Sequence, residues 1–436
     1  MKRRRRRAFA TLLALWIIAV AVVMLAVVQV SAYQQAAAGR EAMARVRAYW
    51  AARAGVEATL AAIEDATENP DELNAFATTD AAAELAQGSV EGGVFLVSHE
   101  GNTGETVGVQ DAHAKLNVNL LATEDLMLLP GMTEDVADAI QDWIDTDEDV
   151  RPLGAENSYY LSTAQPYEAR NDYFRSIAEL ELVAGASPEL VRGEDWNLNG
   201  RLDPNEDDGS LSWPPDNSDG KLDAGWSAIL TASSVDGGLG ASGEARLDLL
   251  TATAEQVAER IGVDAPQSEA IVEYAQSSGA VMSQFIRRNL DQLAVGQGNN
   301  ASFTAPAPLS NDQLALLFAE CAIGENTARM PGKLNINTCE AEALQYLSGI
   351  PPELADSIIA ERSALANGFT SIINLLEVPG MTRNQLARIS NFLDVRSNVY
   401  IVSSRGRDAA TGAEVELVAT IDRSTLPAAI TELRTQ

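Results

Sequence analysis

The hydrophobic pattern is set from the first residues. A basic block, Lys2 to Arg7, is followed by an uncharged apolar run from Ala8 to Val28, and no charged side chain returns until Arg40. As a helix that run spans roughly 31 Å, about the thickness of a bilayer's hydrocarbon core. No other run in the chain matches it, so one membrane crossing is expected, with the Arg-rich end held in the cytoplasm. From Ala36 to Ala66 there is no Pro and only Gly39 and Gly55. Met43, Val46, Trp50, Val56, Leu60 and Ile63 recur at three- and four-residue steps, which predicts one amphipathic face. Pro70 closes the segment, giving a single helix of more than fifty residues.

Period-two patterning comes next. Ser89 to His99 and Glu105 to Gln110 read as strands, with Gly101-Asn102-Thr103-Gly104 as the turn between them. A second pair lies at the far end, Val399 to Ser403 and Glu414 to Ile421. Four strands at the two ends predict one small antiparallel sheet interrupted by a long, mainly helical insertion.

The insertion contains an internal repeat. Lys115-Leu-Asn-Val-Asn119, Leu129-Pro-Gly-Met-Thr133, Ala137 to Ile140, Phe174 to Ile177, Leu180 and Val183 to Ala186 form one copy. Lys333-Leu-Asn-Ile-Asn337, Leu347 to Ile350, Ala355 to Ile358, Phe369 to Ile372, Leu375 and Val378 to Met381 form the other. Each copy reads as two helical hairpins with a Gly in the tight turn. Thr133 and Thr382 are expected as N-caps. Between the copies, Glu244 to Leu250, Thr253 to Ile261 and Gln267 to Gln276 read as helices and Gly296 to Pro308 as a loop.

The hairpins are helix-hairpin-helix-like, which raises a DNA-binding reading. In phosphate-binding turns of that kind a second Gly lets backbone N–H groups approach a phosphate. Here Thr133, Ser187, Pro351 and Thr382 stand there, and proline has no N–H. Composition points the same way: 62 acidic against 31 basic residues, net charge −31. Such a surface repels nucleic acid and favours divalent cations. Packing units are the preferred reading and no nucleic-acid partner is expected. Two cysteines, Cys321 and Cys339, allow either a disulfide or two buried free thiols.

The sharpest chemical motif is Asp195-Trp-Asn-Leu-Asn-Gly-Arg-Leu-Asp-Pro-Asn-Glu206. Oxygen ligands fall at positions 1, 3, 5 and 9 (Asp195, Asn197, Asn199, Asp203). Gly200 takes the bend at 6, the Arg201 carbonyl position 7, and Glu206 closes at 12. This is the spacing of an EF-hand loop, and all-oxygen ligation selects Ca²⁺. A partial second loop follows: Asn217, Asp219, Gly220, the Lys221 carbonyl and Asp223. Its positions 1 and 12 would be Pro215 and Trp226, which cannot ligate through their side chains; it either borrows Asp207, Asp208 or Asp216, or is only a turn. Asp145-x-Asp147-x-Asp149 lacks a Gly and reads as an acidic helix end. No catalytic constellation is found: His99 and His113 pair with no Ser or Cys motif, and Gly332-Lys333-Leu334 is not a P-loop. No enzyme is expected.

Three readings of the N-terminus remain open: a cleaved signal peptide with a site near Ser31-Ala32 or Ala36 to Ala38, a plain anchor, or a prepilin-type leader cut between Ala8 and Phe9. The long helix resembles that of type IV pilins and type II secretion pseudopilins. With Lys115 to Asn119, Ala139 to Asp145, Asn157 to Tyr160 and Phe174 to Leu180, the chain resembles the type II secretion minor pseudopilin K family. The resemblance implies an α+β fold: a long N-terminal membrane and amphipathic helix packed on a small sheet (the pseudopilin fold), with the helical insertion carrying two helix-hairpin-helix-like repeats. The expected segments are a leader (1–8), a transmembrane helix (9–30), its soluble continuation (31–68), strands (89–114), repeat 1 (115–192), a calcium region (193–226), a further insertion (227–332), repeat 2 (333–394) and C-terminal strands (395–424).

The family lacks the glutamate of other pilins five places into the mature helix, and Leu13 agrees; it normally has Gly before the cut, and Ala8 departs from that. The role implied is non-enzymatic, at the tip of the periplasmic pseudopilus with minor pseudopilins I and J. A prepilin peptidase would process the leader, and the bulk of the chain would lie outside the bacterial inner membrane. The alternative is an exported hairpin protein that binds DNA during uptake.

Overall fold

The computed structural model describes residues 2–101, 104–213, 215–293, 306–324 and 330–435. Helix α1 runs unbroken over Lys2–Glu68. Side chains of residues 2–11 lie outside the described part, and with them the expected cut at Ala8 and Phe9. Among the described residues α1 is the one helix long and apolar enough to cross a membrane, and side chains such as Leu12, Trp16 and Leu25 stand fully out from the fold.

The soluble half of α1 lies on a seven-stranded sheet. Its strands are β1 (Gln87–Val90), β2 (Gly93–Gly101), β3 (Gly104–Val107), β4 (Gln110–Asp111), β5 (Val399–Asp408), β6 (Glu414–Asp422) and β7 (Ala429–Thr435). The order is β1-β2-β5-β6-β7, with β3 on β2 and β4 on β5. Asp111 pairs with Tyr400 and Gln110 with Ile401, so residues 112–398 leave the sheet and return to the same place.

Two details differ from the sequence reading and one lies outside the described residues. Ser89 to His99 is not one strand: Glu91-Gly92 turns it into a hairpin, with Gly92 at φ +80°. The expected 101–104 turn has Asn102 and Thr103 outside the described residues. Strand β7 was not anticipated, because its mostly exposed side chains do not alternate with a buried set.

Only the later part of the expected face of α1 packs on the sheet. Met43, Val46 and Trp50 are 57%, 49% and 61% exposed. Val56 and Ile63 are buried as expected, joined by Ala44, Ala48, Ala51, Ala52 and Thr59. Small residues win because helix and strand approach closely. A Cβ on Gly406 in β5 would lie 2.9 Å from the Ala52 Cα, and nearer still to the Ala48 O and Ala52 N. One on Gly55 would meet the Phe95 ring at 2.8 Å. Val56 and Ile63 pack with Val97, Val402, Leu417 and Ile421 in a core of their own.

The insertion has a separate, larger core. Both predicted copies fold alike. Asn119 donates to the Phe174 O and accepts from the Phe174 N at 3.1 and 2.7 Å; Asn337 does the same with Phe369 at 2.9 and 2.7 Å. The turn glycines Gly131, Gly185, Gly349 and Gly380 all have positive φ, where an added Cβ is strained. The opening arm of each second hairpin is a 3₁₀ helix, Ile177–Leu182 and Ile372–Glu377. Thr382 caps its helix with Gln385 as expected, whereas Thr133 occupies the cap position without a cap hydrogen bond.

Each copy closes with a two-residue parallel pairing, Leu116–Asn117 with Leu230–Thr231 and Leu334–Asn335 with Leu393–Asp394. A third closure, Leu247–Asp248 with Cys321–Ala322, shows that the segment between the copies is a third unit of the same plan. Asp248 Oδ1 accepts from the Leu250 N as Asn117 and Asn335 do from residues two further on. Glu244 to Leu250 is therefore not helical, while Ala254–Ile261 and Ala265–Ala275 are. Of the expected 296–308 loop, residues 296–305 lie outside the described part.

Candidate metal-binding site

The Asp195 to Glu206 segment leaves the end of helix Pro188–Arg192 and folds around its own carboxylates. Asp195 and Glu206 are 2% and 1% exposed. Asp195 accepts from the Asn199 N at 3.0 Å and the Gly200 N at 2.9 Å, with Gly200 at φ +68° for the bend. Glu206 closes the loop with one oxygen on the Trp196 N and the other on the Asp203 N, both at 3.0 Å. Asn197 and Asn199 donate to Asp203 Oδ2 at 2.7 and 3.0 Å; half a turn of either amide presents its oxygen to the same point. Burial pushes the carboxyls of Asp195 and Glu206 upward, the direction expected of carboxylates gathered for a cation.

The second loop is completed by residues outside its own register. Asp207 Oδ1 accepts from the Gly220 N at 3.1 Å, as Asp195 does from the Gly200 N. Glu194 accepts from the Asn217 N at 3.0 Å and the Asp223 N at 3.2 Å, the role Glu206 has in the first loop. Asn217 and Asp219 accept within the turn from the Asp219 N and Lys221 N, and Gly220 sits at φ +75°. Of the residues available for borrowing, Asp207 takes part, Asp216 caps the Gly209 turn and Asp208 binds Ser212. Glu194 escaped the sequence reading because it precedes both loops. The two loops thus interlock, each next to the other's closing glutamate.

Arg201 ties this region to the sheet, donating to the Ser98 O at 3.0 Å beside Glu105 and Glu416. Lys115, at the head of copy one, is half-buried near Asp195 and donates to the Ser227 O at 2.6 Å; desolvation lowers its pKa. A polar knot fixes the other junction. Asp111 Oδ2 accepts from Asn335, Thr338 and Ser397. His113 gives Nδ1–H to the Lys333 O and takes the Asn398 N on Nε2, so both ring nitrogens are in structural use. His99 lies against the Gly108 O. The disulfide alternative is corrected: Cys321 and Cys339 are free and buried, one in the third unit's closing pair and one in copy two, and burial pushes both thiols up to about 12. Asp147 accepts from the Asp149 N; of that acidic run only Asp145 joins a cluster, with Asp142 and Glu156.

Residues 101–193 match the family described as type II secretion system (T2SS), protein K. That span holds copy one with Lys115 to Asn119, Ala139 to Asp145, Asn157 to Tyr160 and Phe174 to Leu180, while the long helix lies outside it. That match supports a minor pseudopilin of the protein K kind over this part of the chain. Residues 331–394 match the helix-hairpin-helix motif, and these are copy two. A solved structure, the GspK-GspI-GspJ complex from the type 2 secretion system of enterotoxigenic Escherichia coli, is 14% identical. The alignment covers 91% of this chain and 99% of that one, with a TM-score of 0.49. No curated protein matches the chain.

The hairpin match does not by itself make a protein K a DNA binder. Pro351, at the turn position where a phosphate would need an N–H, is the N-cap of helix Pro352–Ala364. Arg383, the basic residue next to the other turn, is engaged with the Ile286 O and Asn311.

Proposed function

We propose that this protein is a non-enzymatic tip subunit of the periplasmic pseudopilus, assembling with minor pseudopilins I and J and helping to initiate the fibre that drives secretion of folded proteins. Its α1 anchors it once in the inner membrane, with the bulk of the chain in the periplasm. The observation that carries this reading is the interrupted sheet. Strands β4 and β5 are neighbours, yet 112–398 stands between them with a core larger than the sheet's own. A subunit so loaded suits the end of a fibre, where nothing need stack above it.

Calcium is the proposed resident ion. Asp195, Asn197, Asn199, the Arg201 carbonyl, Asp203 and Glu206 would hold one ion. Asp207, Asn217, Asp219, the Lys221 carbonyl, Asp223 and Glu194 would hold a second. The ions supply charge balance and rigidity and no chemistry. They set the position of copy one against the sheet through Arg201.

Co-expression with the cognate pseudopilins I and J, followed by affinity purification of this chain and native mass spectrometry, tests the assembly. A complex of one copy each is expected. Recovery of this chain alone, with I and J associating without it, overturns the reading.

A further inference from the structure

Helix Glu134–Ile144 ends beside a second gathering of carboxylates, away from the calcium loops. Asp142 has a fully buried side chain, that of Asp145 is 27% exposed, and Glu156 is 1% exposed. One oxygen from each lies within 4.8 Å of the others. Arg151 donates to Asp142 Oδ1 at 2.9 Å and to Asp145 Oδ2 at 2.5 Å. That leaves both oxygens of Glu156 and Oδ1 of Asp145 buried with no hydrogen-bond partner.

A buried carboxylate without a partner is among the least favourable groups a fold can hold, so each such oxygen calls for an explanation. Three carboxylates against one guanidinium leave two negative charges, which one divalent cation balances. The donors are all oxygen, which selects a hard ion, and their flexible spacing suits Ca²⁺ better than the smaller Mg²⁺. The loop is drawn in closely as well. Gly154 lies so near Asp142 that an added Cβ would be 2.8 Å from its Cγ and 3.2 Å from the Asp138 O.

We propose that Asp142, Asp145 and Glu156 bind a calcium ion, separate from the two in the loop region, with water completing the coordination. The ion fastens residues 145–156 to the helix end. It thereby holds Tyr160 edge-on to Trp143, at 5.2 Å between ring centroids, in the core of copy one. This site stands apart from the loop sites, so either can fail without the other.

The test is a calcium count by equilibrium dialysis on the full chain in detergent, at millimolar calcium. Glu156→Gln mimics a neutral acid and preserves shape, so it is expected to bind one calcium fewer per chain than wild type. The same loss of one is expected when Glu156→Gln is added to the Asp195→Asn, Glu206→Gln background. An unchanged count in both backgrounds overturns the proposal. Should Glu156→Gln fail to fold by circular dichroism, Asp145→Asn at the rim gives the same reading. Weakening of one site's affinity by at least about tenfold supports the proposal, and an unchanged isotherm overturns it.

Discussion

The contact between α1 and β5 makes a prediction in which one substitution has opposite signs at two sites. Gly406 faces α1 so closely that a methyl group would sit 2.9 Å from the Ala52 Cα and nearer to the Ala48 O and Ala52 N. Ordinary carbon contacts begin at about 3.5 Å. All three clashing atoms belong to the backbone of one helical turn, which no rotamer change relieves. Gly406→Ala must therefore push strand and helix apart, loosening Val56 and Ile63 from Val402 and Leu417. Overpacking in a core costs about 1–3 kcal/mol, and rigid backbone on one side places this case near about 3. Gly39 lies in the same helix with nothing within 4 Å of an added Cβ. There Gly39→Ala stabilises by about 0.5–1 kcal/mol, through helix propensity alone. Urea unfolding of the full chain in detergent, followed by circular dichroism, reads both as midpoint shifts at constant slope. If Gly406→Ala is no more costly than Gly39→Ala, helix and sheet do not pack as described.

Other expectations concern charge. Calcium at a hundred times its Kd should stabilise the chain by about 2.7 kcal/mol per site. Asp195→Asn with Glu206→Gln should abolish the first loop's share of the rise in Tm and Glu194→Gln only the second's; a full rise in either refutes that site. Arg47, hydrogen-bonded to Asp408 with Thr411 assisting, holds that carboxyl well below the usual range. Its contribution is present above about pH 4 and is lost as pH falls through the folded value. Asp408→Asn should therefore flatten the acid limb of the stability curve, and identical limbs refute the pairing's role. In a low-salt gel shift the chain should leave duplex DNA unretarded; a salt-sensitive shift would favour the DNA-uptake reading.

What could be read in the chain depended on how locally each feature is written. The Asp195 to Glu206 loop is legible because its candidate ligands lie in one stretch at fixed spacing. Its companion was half legible, since Asp207 and Glu194 come from outside its register and are recruited only by folding. The first part of the α1 face was misread because periodicity weights large apolar residues, whereas Val56 and Ile63 are buried as expected. Met43, Val46 and Trp50 carry that signal, while close approach to β5 selects Ala48, Ala52 and Gly55. The third hairpin unit was hidden where Asp248 replaces the Asn of Asn117 and Asn335, removing the motif but keeping its hydrogen bond. Glu156 shows the same limit: Asp142 and Asp145 are visible at a helix end, but the glutamate that joins them arrives only when the loop folds back.

The pseudopilin account rests most directly on how the chain begins after processing. Mass spectrometry of the mature N-terminus, on membranes from cells co-expressing a prepilin peptidase, decides it. The account predicts a start at Phe9 despite Ala8 in place of the usual Gly. A start near Tyr33, or an intact Met1, would contradict it.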